Sequence, residues 1–157
     1  MEGKFGRSIS TLVGAAIAFL GIPAHAGAND HLVNVGEVFP GTVGQPNAEF
    51  VELQMRAAGQ SVVAGNKVHV YNASGALIAT HTLPANVASG ANQASILFAT
   101  NDAAAFFGVA ADLAIPAGLP PGGGQVCYED IDGASAGFID CASWGTFNAP
   151  PPSASPG

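Results

Sequence analysis

Short segments in which apolar and polar residues alternate, separated by Gly, Pro and Asn, constrain this chain more than any other feature. In one of them Val51, Leu53 and Met55 fall on one face, while Glu52 and Gln54 fall on the other. Alternation with a period of two is typical of a half-buried β-strand. Segments of this kind recur about every ten residues, a spacing that predicts a β-sandwich or a barrel.

The same pattern gives the order of the elements. Gly36 interrupts the first strand and predicts a β-bulge there, which would turn Glu37 outward. A four-residue connection at 72–75 predicts a hairpin between the third and fourth strands. One short crossover helix is expected, capped by Asn101 or Asp102 and ended by Gly108. The predicted strands are 31–39, 49–55, 67–71, 76–81, 94–100, 112–115, 125–128 and 137–144, and the predicted helix is 102–107.

The first 26 residues have the three-part layout of a signal peptide. Lys4 and Arg7 precede an apolar stretch, and the small-residue pattern Ala24-His25-Ala26 follows it. The stretch is shorter than the roughly 20 apolar residues of a spanning helix, and no later segment is apolar enough to span a bilayer. We therefore expect a signal peptide at 1–26, a single domain at 27–147 and a Pro-rich tail or linker at 148–157.

Cleavage after Ala26 would leave an acidic chain. It removes Lys4, Arg7 and Glu2, which leaves two basic against ten acidic residues, a net charge of −8. Such a surface repels phosphate backbones and anionic lipid, so the charge argues against a nucleic-acid partner. The expected location is secreted, periplasmic or at the cell surface.

Two cysteines occur, Cys127 and Cys141. In an exported chain an even pair at close spacing predicts a disulfide, whose role would be stability. A redox pair of the Cys-x-x-Cys type and a zinc site both lack the required spacing or further ligands.

Between the cysteines, Gly133-Ala134-Ser135-Ala136-Gly137 matches the G-x-S-x-G pattern of hydrolase nucleophile elbows. That motif needs a strand-to-helix turn in an α/β sheet and a histidine later in the chain. The last histidine here is His81, well before Ser135, and no α/β alternation is present. We therefore expect no catalytic residues and a dispensable Ser135, although a secreted esterase or phosphoesterase, or an accessory domain of one, is the alternative.

The acidic stretch beside that motif offers Asp130, Asp132 and Asp140 as weak calcium candidates. Their spacing lacks the sixth-position glycine and the distal glutamate of an EF-hand loop, so a solvated acidic loop without a cofactor is the main expectation.

Other titratable residues show no pairing in the sequence pattern. Glu49 and Glu52 lie three apart on a strand, which predicts opposite faces and surface positions for both. If Tyr71 pairs with Ala76 across the hairpin, His69 and His81 also fall on opposite faces.

One stretch resembles a known family. Glu49-Phe50-Val51-Glu52-Leu53, after Val35-Gly36-Glu37-Val38 and before a Val-Tyr-Asn-Ala-Ser-Gly hairpin, resembles the opening of bacterial lamin-tail-like domains. Cys127-Tyr128 and Asp140-Cys141-Ala142-Ser143-Trp144-Gly145 are similar to a segment of exported members of that group. The resemblance covers residues 31–147. It implies an all-β, immunoglobulin-like antiparallel β-sandwich that is appended to secreted or surface proteins and is not itself catalytic.

The expected function is an exported module that binds an extracellular or cell-surface protein or glycan through loops on a rigid sandwich, with a structural spacer as a further alternative. An interaction module predicts an exposed apolar or aromatic patch, whereas an enzyme predicts a concave pocket that gathers His, Asp or Ser.

Overall fold

The computed structural model describes residues 31–130 and 137–149. In chain order the elements are β1 (Val33–Thr42), β2 (Gln45–Met55), β3 (Lys67–Asn72), β4 (Leu77–Thr82), β5 (Ser95–Ala99), α1 (Asn101–Phe107), β6 (Leu113–Ala114), β7 (Gly123–Asp130) and β8 (Gly137–Gly145). The predicted signal peptide at 1–26 and residues 150–157 of the tail lie outside the described residues. Every predicted strand and the predicted helix have a counterpart.

Two four-stranded sheets form an all-β sandwich, as predicted. Sheet A has the order β1-β2-β5-β6, and sheet B has the order β4-β3-β7-β8. All neighbouring strands are antiparallel except β5 and β6, which run parallel. Helix α1 is the crossover between that parallel pair, because antiparallel neighbours can be joined by a hairpin whereas parallel neighbours need a crossover.

The core lies between the sheets and is built from the alternate positions that the sequence predicts. Val51, Leu53 and Met55 of β2 are fully buried, opposite Val68 of β3 and Tyr128 of β7. Burial of each such side chain contributes about 1.5–3 kcal/mol. The intervening positions of β2 point to the outer face of sheet A, which therefore carries the remaining side chains of this strand.

The first strand contains the predicted bulge. The register with β2 shifts between Val35 and Glu37, so Gly36 is the extra residue. Val35 lies in the core, and Glu37 is exposed. The bulge thus spares the molecule the desolvation of a carboxylate inside the core.

The hairpin between β3 and β4 forms at 72–75, but its register differs from the prediction. Tyr71 pairs with Leu77, not with Ala76, and His69 pairs with Thr80. The cause is a bulge at Ile78, which shifts the register between Val70 and Tyr71. The turn itself is held by Asn72, whose Oδ1 accepts hydrogen bonds from the backbone N–H groups of Ser74 and Ala76 at 3.1 and 3.0 Å.

The cap of α1 also differs from the prediction. Thr100, rather than Asn101 or Asp102, is the N-cap, and its hydroxyl oxygen accepts from the backbone N–H of Ala103 at 3.0 Å. Thr100 is favoured because its backbone still has the extended conformation with which β5 ends. Gly108 ends the helix as predicted, in the left-handed conformation with φ of 67°.

Hydrogen bonds hold the end of β8 and the residues that follow it. The indole N–H of Trp144 donates to the carbonyl of Pro120 at 2.9 Å, and the backbone N–H of Asn148 donates to the carbonyl of Ala73 at 3.0 Å. Gly124 lies directly under the Trp144 ring, where an added Cβ would be 2.9 Å from two ring carbons. A glycine is therefore required for the ring to cover β7 at this point.

Candidate functional site

A groove of about 450 Å³ lies on the outer face of sheet A, beneath helix α1. We call it the aromatic groove. Its floor comes from β2 and β5, one wall comes from β1, and the other wall comes from α1 and the segment that follows it. The residues that line it are Glu37, Phe39, Phe50, Glu52, Ser95, Leu97, Ala99, Ala103, Phe107 and Val109.

Three phenylalanine rings form one end of the groove. Phe39 and Phe50 are cross-strand partners whose rings stack at 5.4 Å between centroids. Phe107 of α1 meets both edge-on, at 5.5 and 5.6 Å. These are favourable aromatic geometries, so the rings are held in place by one another.

The apolar surface of this region is only partly covered. Phe107 is 44% exposed, and its neighbour Phe106 is 56% exposed. Val109, which follows the helix, is also exposed. Contiguous exposed apolar surface on a folded domain is typical of an interaction site.

The other end of the groove is acidic. Glu37 and Glu52 are directly opposite each other on β1 and β2, and Leu97 of β5 is the next residue along the same row. The Ser95 hydroxyl donates a hydrogen bond to the Glu52 carboxylate. Like charges that face each other across a strand pair are destabilising, so this arrangement does not serve the stability of the sheet.

The sequence builds this groove through three local features. The bulge at Gly36 places Glu37 and then Phe39 on the outer face of β1. Alternation along β2 places Phe50 and Glu52 beside them. The Thr100 cap fixes the start of α1 at the end of β5, which brings Phe107 over the sheet.

Glu49 has a structural role, and the prediction of a surface position for it is wrong. It is 4% exposed, and its Oε2 accepts hydrogen bonds from the backbone N–H groups of Gly118 and Leu119 at 2.7 and 2.8 Å. Its side chain thereby holds the loop that follows β6. The prediction that Glu49 and Glu52 lie on opposite faces is confirmed, because Glu52 lines the groove outside the core.

Of the three calcium candidates, the structure describes the side chain of Asp140. Asp140 lies opposite Tyr128 on β8, and its Oδ2 accepts from the backbone N–H of Val35 in the other sheet at 2.9 Å. Asp132 and the side chain of Asp130 lie outside the described residues. Among the residues that are described, no group of three His, Cys, Asp or Glu side chains is placed to hold a metal ion.

A second polar cluster, which the sequence pattern does not indicate, lies on the outer face of sheet B. His69 Nε2 lies 2.7 Å from Glu129 Oε2, and His69 Nδ1 lies 3.1 Å from Thr80 Oγ1. Lys67 Nζ is 3.7 Å from the same glutamate oxygen. Burial, and to a lesser extent the charge of Glu129, raises the pKa of Tyr71 beside this cluster. Residues from three strands meet here, so only the strand order of the sheet reveals it.

His69 and His81 lie on opposite faces of sheet B, as predicted. His69 pairs with the exposed Thr80, whereas His81 pairs with the buried Val68. Burial lowers the pKa of His81. The two imidazoles therefore cannot act on one ligand.

Cys127 and Cys141 form the predicted disulfide and are cross-strand partners on β7 and β8. Ser135 lies in the segment that they enclose, outside the described residues. The aromatic groove contains no histidine.

Comparison of the chain with protein-family models, with curated proteins and with solved structures found no match. Within the part of the chain that the structure describes, no helix has the length and apolar character needed to cross a membrane.

Proposed function

We propose that this protein is a non-catalytic, exported β-sandwich module that binds an extracellular or cell-surface partner in the aromatic groove. The observation that carries the proposal is the exposed aromatic lining of the groove, with Phe107 44% exposed on its wall. The groove falls within the roughly 300–1,000 Å³ of ordinary ligand sites. An interaction module is expected to carry an exposed apolar or aromatic patch, and the lining of the groove is such a surface.

Export belongs to the same proposal. The signal-peptide pattern at 1–26 and the disulfide between Cys127 and Cys141 both support it, because disulfides persist in oxidising compartments. Sequencing the N-terminus of the secreted protein tests it, and the expected first residue is Gly27. The resemblance to lamin-tail-like domains agrees with a sandwich of this size and with an appended, non-catalytic role.

A binding screen with a matched pair of variants tests the docking site. Arrays of peptides and oligosaccharides are probed with the exported protein and with its Phe107→Ser and Phe106→Ser variants. Both phenylalanines belong to α1 and are exposed, but only Phe107 lines the groove. We expect Phe107→Ser to abolish binding and Phe106→Ser to retain most of it.

Two results would contradict this function. One is a set of binders that the Phe107→Ser variant retains with unchanged affinity, which would place the docking surface elsewhere. The other is turnover of an ester or phosphoester by the purified protein that Ser135→Ala abolishes without unfolding it.

A further inference from the structure

We infer that the partner of the aromatic groove is a peptide segment with an apolar side chain at one position and a lysine or arginine two positions away. This inference rests on the proposed function and names the chemistry of the partner. The apolar side chain of the partner is inferred from the aromatic end of the groove, and its basic side chain is inferred from the acidic end.

The acidic end calls for a cation. Glu37 and Glu52 face each other on the exposed side of β1 and β2. In the described part of the chain, the ion pairs involve Glu129 on the other sheet, and Lys67 is bound there. The groove itself is lined by no basic side chain. A positive group brought by a partner would relieve the repulsion between the two carboxylates.

The apolar end lies at a fixed distance from that charge. Phe39 follows Glu37 by two residues, and Phe50 precedes Glu52 by two residues, so the aromatic and acidic rows are one strand repeat apart. Two residues along a strand span about 7 Å. An extended peptide repeats this spacing between its residues i and i+2.

An oligosaccharide fits the groove less well. Sugar hydroxyls need several hydrogen-bond donors and acceptors, and the side-chain polar groups of the lining are two carboxylates and the Ser95 hydroxyl, which is already bonded to Glu52. The remaining lining is phenylalanine, leucine, valine and alanine. Carboxylates next to aromatic rings favour an apolar, positively charged segment.

Selection from a phage-displayed library of random seven-residue peptides tests the inference. The library is panned on the intact exported protein at low ionic strength. We expect the selected peptides to carry Arg or Lys two positions from Phe, Trp, Leu or Ile. Synthetic copies should lose about tenfold in affinity for a Glu37→Gln/Glu52→Gln variant, since two partly exposed ion pairs are removed.

A charge control separates this effect from a general one. Glu129→Gln removes one negative charge on the opposite sheet, and it should leave the affinity within about twofold. Thermal unfolding of each variant checks that the fold persists. Affinity for the wild-type protein should also fall as salt is added.

Each remaining outcome overturns the inference in a recognisable way. Selected peptides that are apolar without a basic residue, yet still depend on Phe107, would refute the charge component and leave the docking function standing. Binding of oligosaccharides alone would refute the peptide. Absence of any ligand that Phe107→Ser weakens would refute both the inference and the proposed function.

Discussion

Glu49 and Glu52 illustrate how differently two glutamates of one strand are used. Glu49 is buried and receives two backbone N–H groups from the loop after β6, whereas Glu52 lines an open groove. Hydrogen bonds to a charged group contribute about 1.5–3 kcal/mol each to stability. Removal of the charge at these two sites should therefore have unequal effects.

We expect Glu49→Gln to lower the free energy of unfolding by about 2 kcal/mol, because both backbone N–H groups donate to the same carboxylate oxygen and a neutral amide oxygen in its place accepts each of them more weakly. Glu52→Gln should change it by no more than about 0.5 kcal/mol, since the side chain is partly exposed and opposes Glu37. Urea unfolding of both variants measures the difference. Equal losses would show that the buried carboxylate does not hold the loop.

His81 should make stability depend on pH. Burial lowers its pKa in the folded state, so the unfolded state binds the proton more readily. Its contribution is complete above the unfolded pKa of about 6.5 and is lost as the pH falls below that value.

We expect acidification from about pH 7.5 to about pH 5.5 to reduce the free energy of unfolding of the native protein more than that of His81→Gln. Every other titratable group is the same in both proteins, so its contribution cancels in the comparison. Urea unfolding at the two pH values provides the measurement. Parallel losses in the two proteins would exclude His81 as the source.

The sequence predicts the face of each of these residues but not its surroundings. Alternation along β2 assigns Glu49 and Glu52 to opposite faces correctly. The burial of Glu49 depends on Gly118, which lies 69 positions away, and no local pattern signals that contact. The contacts of His69 with Thr80 and Glu129 are likewise not signalled by any local pattern.

At the scale of elements, Thr100 joins β2, β5 and α1. Its hydroxyl accepts from the backbone N–H groups of Glu49 and Ala103 and donates to the carbonyl of Asn47 at 2.7 Å. This one side chain links the start of the helix wall of the aromatic groove to β2.

Thr100→Val keeps the shape of the side chain but leaves two amide donors without their acceptor. We expect a loss of about 2 kcal/mol in the free energy of unfolding, together with weaker ligand binding in the groove. Asn101→Ala is the control, because that exposed residue is not the cap, and it should cost no more than about 0.5 kcal/mol. A larger effect of the control would assign the cap to Asn101 after all.

Element boundaries are predictable here to the extent that turn residues mark them. Gly36 and Gly108 identify a bulge and a helix end in advance, because glycine has a clear backbone reason to be there. The bulge at Ile78 has no such marker, so the register of β3 and β4 is predicted wrongly. Thr100 is missed as the cap because the polar residues after it compete for that role.

For the whole molecule, the cross-strand disulfide is the main covalent restraint. It encloses a segment with a sequence separation of 14. We expect a Cys127→Ala/Cys141→Ala variant to lose about 3 kcal/mol in the free energy of unfolding, since the unfolded chain gains freedom. Urea unfolding of the variant and of the native protein measures this. An unchanged value would mean that the bridge does not restrain the unfolded chain.

Periodicity and spacing predict the sandwich, but they do not predict the aromatic groove. Phe39, Phe50 and Phe107 come from three elements, and each alone reads as an ordinary apolar residue of its segment. Their meeting on the outer face follows from the order of strands in sheet A and from the path of the crossover helix.

The contact between Asp140 and Val35 has a consequence for how copies of the molecule behave toward each other. β1 and β8 are each an edge strand of their sheet, and an edge strand offers free amides with which a strand of another chain can pair. The Asp140 carboxylate occupies one of these amides and puts a negative charge in the path of an incoming strand. The bulge at Ile78 distorts the edge strand β4 in the same protective sense. An edge amide that is already bonded, with a negative charge beside it, is less available for pairing with a strand of another copy.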